Sequence, residues 1–75
     1  MIMVSDTKEQ EMHGMLSHYV MEVNKYRLQC NYNMANDYLD MLLGALCMYN
    51  IVAFDPLDVI ERNGEVELVQ RHARR

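Results

Sequence analysis

Apolar residues recur along the first part of the chain at spacings of four, three, four, three and four: Met12, Leu16, Tyr19, Val23, Tyr26 and Cys30. That spacing is a heptad seam, the mark of a helix that packs against another helix. Met15, Val20 and Leu28 flank it, while His13, Ser17, Asn24 and Lys25 fall mainly elsewhere round the helix. Upstream, Asp6 with Glu9, or Thr7 with Gln10, has the spacing of a capping box, in which a side-chain oxygen satisfies a free N–H of the first turn. The pattern predicts a first helix over about 7–29, with Gly14 a weak point or a place of close approach.

Cys30-Asn31-Tyr32-Asn33 is the only plausible break before the next apolar run, and asparagine suits both turns and helix caps. A connection this short makes the two helices antiparallel neighbours. Ala35, Tyr38, Leu42, Ala45 and Tyr49 form a second seam, widened by Leu39, Leu46, Met41 and Met48. Asp37 and Asp40 sit early in this helix, where the dipole favours negative charge. From Met41 to Phe54, thirteen of fourteen residues are apolar or glycine and only Asn50 is polar. A helix apolar on every side must be buried on every side. A chain of 75 residues has little protein with which to do so. The second helix is expected over about 34–53, with another copy of the chain, or a partner, as its cover.

Asp55-Pro56 is a helix-start signal, Asp55 able to cap and Pro56 fitted to the first helical position. It predicts a short third helix over about 56–62, closed by Gly64. Asn63-Gly64 is also the preferred two-residue hairpin turn, with DVIER and EVELV as its strands. The helix is the expectation because the Asp-Pro start explains more residues; the C-terminal arm stays undetermined between strand and helix. The whole is expected to be one all-α domain over 1–75, a helical hairpin that assembles into an oligomeric helical bundle, with 71–75 a basic tail.

Composition adds two constraints. Eight methionines in so short a chain suit irregular packing and adaptable surfaces. The formal charge is -4, but eleven acids and only four of the seven bases precede Arg71, leaving the body at -7. An acidic body argues against nucleic-acid binding, which needs a cationic face. Cys30 and Cys47, both in apolar surroundings, are expected to be buried thiols. Some 20 Å apart along the returning helix, at about 1.5 Å per residue, they are too distant to bridge. They point to a reducing cytoplasm. The N-terminal residues carry no secretory signal. The run from Met41 to Phe54 is short of the roughly 20 residues that cross a bilayer, so no membrane is expected.

Three kinds of chemistry remain to be weighed. Glu9 with His13 and His18 with Glu22 each share a helix face, yet neither forms HExxH and no third ligand is evident, so no metal or cofactor is expected. Asp37, Asp40 and Glu22 faintly echo all-helical Mg-dependent nucleotide hydrolases, but the paired ExxE spacing is missing. Nothing places a cysteine or histidine as nucleophile and base, so the expectation is no enzyme and no catalytic residue. The segment around the end of the first helix gathers His18, Tyr19, Lys25, Arg27 and Tyr32, whose cations and rings suit a nucleotide-like ligand.

The excess apolar surface of the second helix points to protein binding and self-association instead, through Met41, Leu42, Leu43, Leu46, Cys47 and Met48. The lead expectation is a non-enzymatic, self-associating helical protein that acts by occupying a partner protein, its acidic face or the Arg71–Arg75 tail left for recognition. The alternative is an oligomeric sponge that sequesters a nucleotide-type signalling ligand between subunits. In general profile the chain is similar to small accessory and inhibitor proteins encoded by bacteriophages.

Overall fold

The computed structural model describes residues 2–53 and 55–71, with the side chains of 2–7 and 9 outside that description. Two antiparallel helices, α1 (Ile2–Leu28) and α2 (Tyr32–Val52), are followed by an antiparallel hairpin of β1 (Leu57–Arg62) and β2 (Glu65–Gln70). α1 thus begins before the expected start at Thr7, and the side chains of its supposed capping box lie outside the described ones.

The reversal between the helices uses Gln29, Cys30 and Asn31. The N–H of Asn31 donates to Tyr26 O at 2.9 Å and that of Cys30 to Arg27 O at 3.0 Å, with Cys30 at φ 60. This is a Schellman ending with cysteine in the left-handed position that glycine usually holds. Asn31 then caps α2, its side-chain oxygen accepting from Met34 N at 3.4 Å. The predicted helical hairpin therefore forms where the break was read. Its seams close on Leu16 and Leu42, each at most 1% exposed, with Leu46, Tyr49 and Leu57 completing the cluster. Full burial of each such leucine stabilises the fold by about 1.5–3 kcal/mol.

The all-α expectation fails after Val52. There is no third helix among the described residues, and 57–62 is a strand paired with 65–70 in the register Leu57↔Gln70 to Arg62↔Glu65. Asn63 at φ 57 and Gly64 at φ 83 form the two-residue turn, with the positive φ at both positions that a type I′ turn requires. A short helix would use the Asp-Pro start but strand EVELV without a partner. The hairpin pairs both segments and puts Leu57, Val59, Val66 and Leu68 on one face against the helices. Pro56 instead leads into β1, and its carbonyl accepts from Arg71 N at 3.0 Å.

Two asparagines fix the hairpin to the helices. With Arg62↔Glu65 closing the turn, Leu57 and Val66 occupy positions whose backbone groups point away from the partner strand. Asn50 on α2 meets both groups of Leu57, donating to its carbonyl and accepting from its N–H, each at 2.9 Å. Asn24 on α1 does the same for Val66, at 3.1 and 2.9 Å. Each side-chain amide acts as one residue of an extra strand. Arg71 is not part of a free tail, since its guanidinium holds Asp58 at 2.9 Å; residues 72–75 lie outside the described ones.

Two sets of substitutions test this account. Asn24→Ala and Asn50→Ala leave a backbone N–H and C=O without partners, and each is expected to lower stability by about 1–3 kcal/mol in urea unfolding; a smaller change would mean that apolar contact alone holds the hairpin. A Cβ added at Gly14 or Gly44 meets nothing within 4 Å, so neither glycine serves a close approach. Gly14→Ala and Gly44→Ala are each expected to gain about 0.5–1 kcal/mol, read as a higher thermal midpoint.

Candidate functional site

The hairpin covers only one side of the two-helix layer. At about 100° per residue, Met15, Tyr19, Glu22 and Tyr26 stand opposite Asn24 on α1. On α2, Met34, Met41, Ala45, Met48 and Val52 stand opposite Asn50. Five of the eight methionines, Met12, Met15, Met34, Met41 and Met48, belong to this open side. Met41 is 44% and Met48 63% exposed. Between the helices lies an apolar groove of about 210 Å³ lined by Met12, Met15, Leu16, Ala45 and Met48. Toward the helical turn the same side becomes aromatic. Tyr26 stacks on Tyr38 with centroids 5.7 Å apart, and Tyr19 tilts against Tyr38 at 6.3 Å.

The residues expected to hold a nucleotide are divided by the helix. Arg27 stands about 200° round α1 from Lys25. Its guanidinium turns to the β-hairpin, donating to Gly64 O at 3.2 Å and pairing with Glu61 at 3.1 Å. With Tyr32, Asn36, Glu61 and Gly64 it lines a cleft of about 480 Å³. Lys25 lies instead with Glu22, at 3.0 Å, and over the Tyr26 ring at 4.8 Å. Both the hydrogen bond and the charge of Glu22 raise its pKa above 10.5. His18 is 3.9 Å from the same carboxylate, and its ring lies beside Tyr19. His18, Tyr19 and Lys25 thus gather around Glu22 and the tyrosines, apart from Arg27 and Tyr32.

The expected assembly residues are divided as well. Leu42 and Leu46 are buried in the chain's own core, at 0% and 7% exposure. Leu43 and Cys47 are exposed on the flank nearer the hairpin, and Met41 and Met48 on the open side. Sequence reading passed over Met12, Met15, Met34 and Tyr38 as surface residues, although Met34, Met41 and Met48 stand seven apart and mark a second stripe.

Both cysteines are free and exposed, contrary to the buried thiols expected. Cys30 is turned outward by its left-handed backbone, and α2 faces Cys47 away from α1. Among the described residues no three His, Cys, Asp or Glu side chains gather as a metal site. Asp37 and Asp40 are exposed on α2, while Glu22 is engaged by Lys25. No helix of the described residues is long and apolar enough to cross a membrane.

No protein-family model matches the chain, and neither a curated protein nor a solved structure matches it. The reading of the site therefore rests on its own geometry.

Tyr32 provides a local check on the turn. Hydrogen bonding to Cys30, and then the charge of the thiolate, push its phenol above the ordinary 10.0. A raised value in the folded chain contributes stability that is complete below the unfolded value and is lost as pH rises through the folded one. Absorbance titration of the tyrosinate should place Tyr32 above pH 10.0, and Cys30→Ala should bring it back down. An unmoved titration would show that the two side chains do not meet.

Proposed function

We propose that the protein is a non-enzymatic binding protein that self-associates through the open side of its helical layer and acts by occupying a protein partner. The observation that carries this reading is the concentration of exposed methionine on the side opposite the hairpin. Methionine adapts its shape and keeps good dispersion contact, which suits a surface that is covered in one state and bare in another. Among the described residues the other layer, the β-hairpin, sits on the opposite side and does not cover it.

Area is consistent with this reading. α2 has 21 residues, so at about 1.5 Å per residue and about 10 Å per helix the side measures roughly 30 by 20 Å. That gives about 600 Å² per copy, at the lower limit of a specific interface. Recognition of the partner then falls to the acidic remainder. α2 carries Asp37 and Asp40 and no basic residue, and the hairpin adds Glu65, while Asp58, Glu61 and Glu67 are paired with Arg71, Arg27 and Arg62. Such a surface suits a basic protein, with electrostatics raising the rate of encounter. Two exposed free thiols fit a reducing compartment, and we place the protein in the cytoplasm.

Native mass spectrometry tests the assembly. The chain should appear at a multiple of 8.9 kDa, and Met48→Lys, which puts a charge in the covered side without touching the core, should return it to a single chain. A native chain that stays single at high micromolar concentration would refute self-association.

A further inference from the structure

Resting on self-association through the open side, we infer that two copies meet face to face about a two-fold axis that crosses the helices at the level of His18 and Leu43, each helix lying antiparallel to its own counterpart. The first support is a stripe on α2. Met34, Tyr38, Met41, Ala45, Met48 and Val52 recur at four, three, four, three and four, a heptad seam that shares Tyr38 and Ala45 with the one packed against α1 and turns its methionines outward. A seam of this kind fits a facing helix, and the described residues hold no third helix to supply one.

The stripe is symmetric about position 43. Two antiparallel copies centred there set Met34 against Val52 of the second copy, Tyr38 against Met48, and Met41 against Ala45. The pairing is complementary in size and kind: a long side chain meets a small one at 41 and 45, and a thioether meets an aromatic ring at 38 and 48. An isologous interface requires that if one residue contacts another, the reverse contact is also made, and the symmetric stripe satisfies this.

Charge on α1 agrees independently. Glu11 and Lys25 are both exposed on the outer flank of α1, next to the open side, and are equidistant from position 18; Lys25 is held there by Glu22 at 3.0 Å and over the Tyr26 ring. Met12 and Met15 share a groove with Ala45 and Met48, and the His13 ring meets Tyr49 at 6.3 Å. These contacts put position 18 of α1 level with position 43 of α2. One axis therefore brings Glu11 opposite Lys25 of the second copy twice over while it pairs the α2 stripes. The competing axis, along the helices, would set Lys25 near Asp37 of the second copy and crowd the tyrosine hydroxyls of both copies into one patch.

Charge reversal separates the two. Glu11→Lys and Lys25→Glu each place like charges across the interface at two symmetric positions. Each is expected to weaken its own homodimer about tenfold, because it loses two exposed pairs and gains two like-charge contacts. Mixed in equal amounts, with one chain labelled with heavy nitrogen, the two variants restore both opposite-charge pairs, so native mass spectrometry should show the heterodimer well above the statistical half. The double variant Glu11→Lys with Lys25→Glu should dimerise like the native chain. Statistical mixing, or a Glu11→Lys homodimer as tight as the native one, would overturn this axis while leaving self-association in place. Rescue of Lys25→Glu by Asp37→Lys would assign the axis along the helices. A native chain that never dimerises would instead refute the reading on which the inference rests.

Discussion

Two half-buried amides hold this architecture together. A two-stranded hairpin is marginal by itself, and here its outer edges would leave the backbone groups of Leu57 and Val66 facing apolar helix surface. Asn50 and Asn24 meet those groups, one from each helix, at 2.9–3.1 Å. Because an unpaired buried amide is costly, these contacts fix where the hairpin sits, which strand faces which helix, and which side of the helical layer is covered. The salt bridge of Arg27 to Glu61 and its bond to Gly64 then fasten the turn end.

The covered side decides the character of the other. Once Leu57 and Val59 have joined the core, the hairpin lies away from Met12, Met15, Met41 and Met48, and no other described element lies over them. The side is apolar toward one end and aromatic toward the other, with Glu22 joined to Lys25 near the aromatic end. The ionisable groups of that side, Glu22 and Lys25, neutralise one another locally. The same geometry separates Arg27 from Lys25 and so weakens the case for a phosphate-binding cluster: two residues apart in a helix is the spacing that points side chains in nearly opposite directions.

Much of the fold was readable in the pattern of residues. The seams from Met12 to Cys30 and from Ala35 to Tyr49 are local periodicities, and the turn at Asn31 carries its own capping chemistry; neither needs distant residues to be legible. Asn63-Gly64 was equally legible as a hairpin turn and was outweighed by Asp55-Pro56, because both signals are local and only one can win. The choice between them was made at long range, by Asn24 reaching Val66 across 42 positions of sequence. No periodicity reports such a contact.

The sequence by itself therefore determined that two helices form, where they turn, and that more apolar surface exists than one helix pair can hide, since each follows from spacing and composition within a window of a few turns. It did not determine which apolar residues remain outside. Leu42 and Leu46 read as surface available for assembly and are core; Met15 read as a flank of the first seam and lies on the open side. That division depends on which side the β-hairpin lands, and the landing is decided by two asparagine amides finding two backbone edges, a match of positions that exists only once the chain is folded.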